Sequence, residues 1–180
     1  ASRFTAGENV MEEIRVLTLH QPWASLIALG LKKYETRHWS TPYRGKLAIH
    51  AAKRFGWREE LAIIRLNVRG LISRGPIEQI NRLFDNDIPL GAIVAVADLS
   101  DCLKMRQAGD YTQGCGEICI PHQTVLERTV GNWSGGRYAW KLDRVVALPE
   151  PIPYKGCQGL VRIKDEQVLE KLGGLSHANG

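Results

Sequence analysis

Apolar positions along the chain switch between a period near two and a period near 3.6, and that switching predicts a mixed α and β domain. Val16 to His20 reads as a short strand. Pro22 then opens a helix with Trp23, Leu26 and Ile27 on one face, and Gly30 ends it. Tyr34 to Arg37 is extended, and Trp39 to Gly45 is a loop. From Lys46 to Ala52 the pattern alternates, Leu47, Ile49 and Ala51 against Lys46, Ala48 and His50, as in a half-buried strand whose His50 faces outward. Trp57, Leu61, Ile64 and Val68 recur at helical spacing, and a shorter helix follows Pro76 with Ile77, Ile80 and Phe84 inward. The run Gly91 to Leu99 reads as a strand buried on both faces.

Residues 105–136 form a glycine-rich excursion with one helical turn near Val125. Tyr138 to Leu142 alternates as a strand, while Pro149, Pro151 and Pro153 mark a stiff loop. Leu160 to Ile163 is a last strand. Asp165 caps a terminal helix that carries Val168, Leu169 and Leu172 and stops at Gly173 and Gly174. Five or six strands with helices around them define an α+β class with a small β-barrel. The expected core is Leu47, Ile49, Ile93, Val94, Val96, Trp140 and Leu142, with Trp57, Leu61 and Ile64 on a helix packed against it. We find no repeat and no domain boundary, so residues 14–180 are expected to form a single domain. Residues 1–13 are polar and patternless, a lead-in or tag remnant.

Composition narrows the class. Of 180 residues, 44% are hydrophobic and 24% charged, which excludes disorder as the overall state. The longest apolar runs fall far short of the roughly 20 residues a membrane helix needs, and the start of the chain has no signal-peptide core. Four cysteines in a chain of this kind point to a reduced, cytoplasmic protein.

The charge is concentrated. The chain carries a net +5, and the segment Gly30 to Arg54 alone carries +6. It contains Lys32, Lys33, Arg37, Arg44, Lys46, Lys53 and Arg54 against Glu35, interleaved with Tyr34, His38, Trp39 and Tyr43. Localised positive charge with aromatic side chains suits a polyanion with unpaired bases, although a solvated basic face with core aromatics has the same composition.

Gly30-Leu-Lys32-Lys-Tyr-Glu35-Thr-Arg37 resembles the G-x-K-x-x-E-x-R signature of the ASCH (activating signal cointegrator homology) family. The flanking segments His20 to Ser25, Thr41 to Ala51, Asp98 to Leu103 and Trp140 to Asp143 resemble it too, so the likeness spans about residues 14–164. The resemblance implies a PUA-like β-barrel with flanking helices and a cleft over the motif that takes RNA or another single-stranded nucleic acid. On that reading Lys32, Glu35, Arg37, Trp39, Tyr43, Arg44, Lys46 and Lys53 form the nucleic-acid-binding set. Lys and Arg suit phosphate. Glu35 either orients them, reads a base or sugar edge, or forms a structural ion pair. For Lys32 to share a face with Glu35 and Arg37, the backbone near Lys33 must be irregular.

The resemblance also implies an enzymatic alternative. Some small ASCH proteins are amidohydrolases on modified cytidine that use a Lys, a Thr and a Glu, and others have been proposed as nucleases. Lys32 matches the Lys, Glu35 stands where the Thr belongs, and the distant Glu has no counterpart legible here. Catalytic candidates are therefore Lys32 and Glu35, with His20 or His50 as further acid–base groups. A third alternative is a protein-interaction module of a transcription coactivator.

Cys115-x-x-x-Cys119-x-x-His122 has metal-binding donors but not four ligands in paired spacing, so no metal is expected. The glycines match neither dinucleotide nor P-loop spacing, so no cofactor is expected.

Overall fold

The computed structural model describes residues 13–106, 117–119 and 124–176, of which 117–119 and 175–176 are described by backbone alone. The elements run β1 (Ile14–Leu19), α1 (Trp23–Ala28), β2 (Tyr34–Arg37), β3 (Gly45–Ala51), α2 (Trp57–Val68), α3 (Arg74–Asp85), β4 (Ala92–Arg106), β5 (Glu117–Cys119), α4 (Val125–Val130), β6 (Tyr138–Pro153), β7 (Leu160–Arg162) and α5 (Glu166–Ser176). Six strands follow one curled path, β2-β6-β4-β3-β1-β7, and β5 pairs beside β4. β1 runs parallel to β3, and β4 lies antiparallel between β3 and β6. The result is the expected α+β class: a half-barrel sheet flanked by helices. Between β1 and β2 no main-chain ladder forms among the described residues. Arg37 Nη2 instead donates to the Thr18 carbonyl across that seam, at 3.3 Å.

The expected barrel core is fully buried, but it divides between two faces. Leu47, Ile49, Val94, Trp140 and Leu142 pack with Ala24 and Ile27 of α1. Ile93 and Val96 pack on the opposite face with Val168 and Leu172 of α5. Successive side chains of a strand point to opposite faces, so a continuous apolar run serves two layers. The same second layer corrects the reading of His50, which is 2% exposed and hydrogen-bonded through Nε2 to the Tyr154 carbonyl at 3.0 Å. Trp57, Leu61 and Ile64 belong to a third cluster, with Leu26 and Ile80.

Several boundaries differ from expectation: β4 runs past Leu99 to Arg106, and β5 lies within the stretch read as an excursion. α3 begins at Arg74, ahead of Pro76, which a helix accepts in its first turn. β6 continues through Pro149, Pro151 and Pro153. Pro149 and Pro151 fall where the register with β4 jumps from Ala147 to Ile152, so their missing N–H groups cost no ladder bond. α5 passes through Gly173 and Gly174 to Ser176. Its start is as expected, with Asp165 Oδ1 accepting from the Gln167 and Val168 amides at 3.0 and 3.2 Å.

Candidate functional site

Helix α1 is held at both ends. Gln21 Oε1 accepts from the Ser25 amide at 3.0 Å, and Gln21 Nε2 donates to Pro89 O at 2.9 Å. At the other end Gly30, at φ +71°, donates to Ile27 O, and Leu31 donates to Leu26 O, at 2.8 and 2.9 Å. This 5→2 and 6→1 pair is a Schellman motif, completed by the apolar packing of Leu31 in the cluster that holds Leu26. Gly30 thus turns the chain sharply, and Lys32 leaves the helix directed inward, 1% exposed.

The irregular backbone required around Lys33 is present. Its amide donates to Glu127 Oε1, and its carbonyl accepts from the Leu142 amide at 2.9 Å. Lys32, Glu35 and Arg37 converge as a result. Lys32 Nζ donates to Tyr34 O at 2.5 Å and lies 3.6 Å from Glu35 Oε2. Glu35 Oε1 lies 3.0 Å from Arg37 Nε, off the N–H direction, so that buried donor keeps no directed hydrogen bond among the described residues.

These three side chains line a cavity of about 390 Å³ at the seam between β1 and β2. His20, Trp23, Asn132 and Arg137 complete its wall, together with Thr18 and Thr36. The segment leaving α4 closes in because residue 131 is glycine. A Cβ there would stand 2.5 Å from Trp133 Nε1 and 3.1 Å from Thr36 Cγ2. Asn132 N then donates to Thr36 Oγ1 at 2.9 Å, and Arg137 Nη2 to Thr36 O at 3.3 Å. Arg137 Nε is buried without an acceptor among the described residues. Burial, then the Arg54 and Arg37 charges, hold the His20 imidazole below its ordinary pKa.

Behind the cavity sits Glu127, 5% exposed. Burial pushes its carboxyl above the ordinary carboxylate range, against the Lys33 amide and the Lys32 and Lys33 charges. Three cations, Lys32, Arg37 and Arg137, and the Glu35 carboxylate give the cavity the means to grip a phosphate or the edge of a base.

The remaining sequence candidates lie elsewhere. Trp39 packs edge-on against Trp140, with centroids 4.6 Å apart, in the first core layer. Tyr43 donates through its hydroxyl to main-chain carbonyls of Lys46 and Glu13, under the Arg15 guanidinium. Arg44 and Lys46 occupy the opposite end of β3 from His50 and pair with Asp101 and Asp98, at 3.3 and 2.9 Å. Lys53 and His50 line a second cavity. Cys115 and His122, and the side chain of Cys119, lie outside the described residues.

Nothing in the sequence marks Trp23, Asn132, Arg137 and Glu127 as site residues. The last three come from a segment without periodicity, and Trp23 reads as a buried helix position. Their only signal is three-dimensional.

Residues 17–152 match the ASCH domain. Over 136 residues the chain is 38% identical to Activating signal cointegrator 1 of Homo sapiens, and equally to that of Mus musculus. These matches take in 71% of this chain and 22% of each relative, so the chain spans about a fifth of their length. The crystal structure of a point-mutant form of the ZmASCH protein from Zymomonas mobilis aligns with a TM-score of 0.47 at 16% identity, over 90% of this chain and 97% of that one. The chain belongs to the ASCH domain family.

Proposed function

We propose that this ASCH domain binds single-stranded or modified nucleic acid, most simply RNA, with one nucleotide held in the cavity over Gly30 to Arg37. The observation that carries the reading is the convergence of Lys32, Glu35, Arg37 and Arg137 on one cavity. Its size is within the range of small-molecule sites, and Trp23 and His20 lie at its wall as surfaces for a base. Two buried guanidinium donors without directed partners among the described residues leave hydrogen-bonding capacity for a ligand. We assign Arg44 and Lys46 to the frame, since each already pairs with a carboxylate.

A hydrolytic reading on a modified nucleoside has one supporting observation, Lys32 beside Glu35 with Glu127 near. Glu35 still stands where that chemistry places a hydroxyl, and a carboxylate would form an anhydride rather than an ester.

Fluorescence anisotropy with labelled single-stranded RNA at low salt tests the reading. Binding that Arg37→Ala and Arg137→Ala each weaken supports it. No binding to RNA or DNA at low salt, where attraction is strongest, overturns it in favour of the protein-interaction alternative.

A further inference from the structure

The first cavity has a neighbour that no part of the family motif lines. It encloses about 770 Å³ beyond the ends of β1 and β3, with Lys53, Tyr154, Lys155 and Gln158 among its lining residues. Among the described residues two cations line it and no carboxylate does, so an anion entering it meets no like charge at that wall.

Thr18 lines both cavities, which makes them adjoining chambers on either side of one residue. The consecutive residues Lys53 and Arg54 divide between them: Lys53 lines the second, and the Arg54 charge acts on His20 in the wall of the first. Main-chain hydrogen bonds tie together the segments that line the second chamber. Ala52 N donates to Leu19 O, Gly91 N to Ala51 O and Tyr154 N to Gly91 O, at 2.8, 2.7 and 3.1 Å. The strap from Tyr154 to Gln158 is pinned as well. Cys157 N donates to Thr18 Oγ1 at 3.2 Å, and a Cβ at Gly156 would stand 2.5 Å from His50 Cε1, so the backbone lies directly on that ring.

The geometry points to a second nucleotide subsite in this chamber, taking the phosphate and base of the residue next to the one held over Gly30 to Arg37. This inference rests on the nucleic-acid reading above. A strand crossing the Thr18 ridge passes from Arg37 to Arg54, then to Lys53 and Lys155. Each phosphate meets a cation in turn, and the Tyr154 ring offers a face for the second base.

Calorimetric titration of uridylate and adenylate oligomers, one to four nucleotides long, tests the proposal on the full chain. For the wild type the affinity is expected to rise about tenfold or more from one nucleotide to two. Lys155→Glu is expected to remove most of that rise and keep mononucleotide affinity within about twofold. Lys155→Ala is expected to lower the salt slope by about 0.7. In peptide-resolved alkylation, a saturating trinucleotide is expected to protect the half-exposed Cys157, and the mononucleotide is not. A mononucleotide that binds while the rise survives in Lys155→Glu, or while Cys157 reacts equally with trinucleotide bound, overturns the second subsite alone. Failure of every oligomer to bind the wild type overturns the nucleic-acid reading and the subsite with it.

Discussion

Lys32 Nζ lies 3.6 Å from Glu35 Oε2 in surroundings that leave the lysine 1% exposed. A buried cation needs compensation, and Glu35 supplies it while also facing Arg37 at 3.0 Å. Removing the carboxylate therefore leaves two cations facing each other. Glu35→Gln is expected to lower unfolding free energy by about 3–5 kcal/mol, the range for breaking a buried pair. Lys32→Met combined with Glu35→Gln should cost less than the sum of the two single changes. Urea denaturation of the four proteins measures both.

Gly30 tests the turn that aims Lys32. At φ +71° with no atom within 4 Å of an added Cβ, a side chain meets no clash and only the left-handed backbone penalty. Gly30→Ala is expected to cost about 1–2 kcal/mol in denaturant titration. Gly30→Asn should cost less, since asparagine tolerates that region.

Much of this architecture is legible in the chain itself because local patterns and tertiary demands agree there. Trp57 to Val68 has one apolar stripe and one place to bury it, and the helix spans those residues. Gly30 to Arg37 is legible because a glycine and the charged residues Lys32, Lys33, Glu35 and Arg37 lie within eight positions. His50 is not, because alternation shows two faces and only the strap from Tyr154 to Gly156, lying on its ring, decides that the second is covered. Nor is the far wall of the cavity. Asn132 and Arg137 reach Thr36 across about a hundred residues, through contacts that no local period records.

Asp98 separates frame from site. Its carboxylate is buried between Lys46 and Arg144, and Arg144 holds an unusual φ of +46°. Asp98→Asn is expected to lower stability by about 1.5–3 kcal/mol, the worth of hydrogen bonds to a charged group. Lys46→Ala should lower stability and leave RNA affinity within about twofold. A thermal melt paired with an anisotropy titration on each variant separates the two effects.

Stability should also depend on pH through His50. Burial is the larger influence and holds its imidazole below 6.5, against the opposing pull of the Tyr154 carbonyl. With the folded pKa below the unfolded one, the unfolded state takes up the proton first. Stability is then full above pH 6.5 and is lost as pH falls toward the folded value. His20 has the same sign. His50→Gln should reduce the slope of unfolding free energy against pH between roughly 7.5 and 5.5 without abolishing it.

Glu127 has the opposite sign, because its folded pKa is raised above 4.5. The stability it contributes is present below that value and is lost as pH rises through the folded pKa. Glu127→Gln keeps an acceptor for the Lys33 amide. Its stability relative to wild type should grow as pH rises above 4.5, and parallel denaturation curves at several pH values check this.

The proposal that the cavity over Gly30 to Arg37 holds a nucleotide is tested most directly by chemical-shift mapping of the isotope-labelled chain with a short single-stranded RNA at low salt. The account predicts that the largest shifts fall on the Trp23 indole, the Arg37 and Arg137 guanidinium signals and the Asn132 backbone amide. Shifts confined to the exposed apolar side chains Phe55, Ile63 and Leu66, or no shifts at saturating RNA, would contradict it.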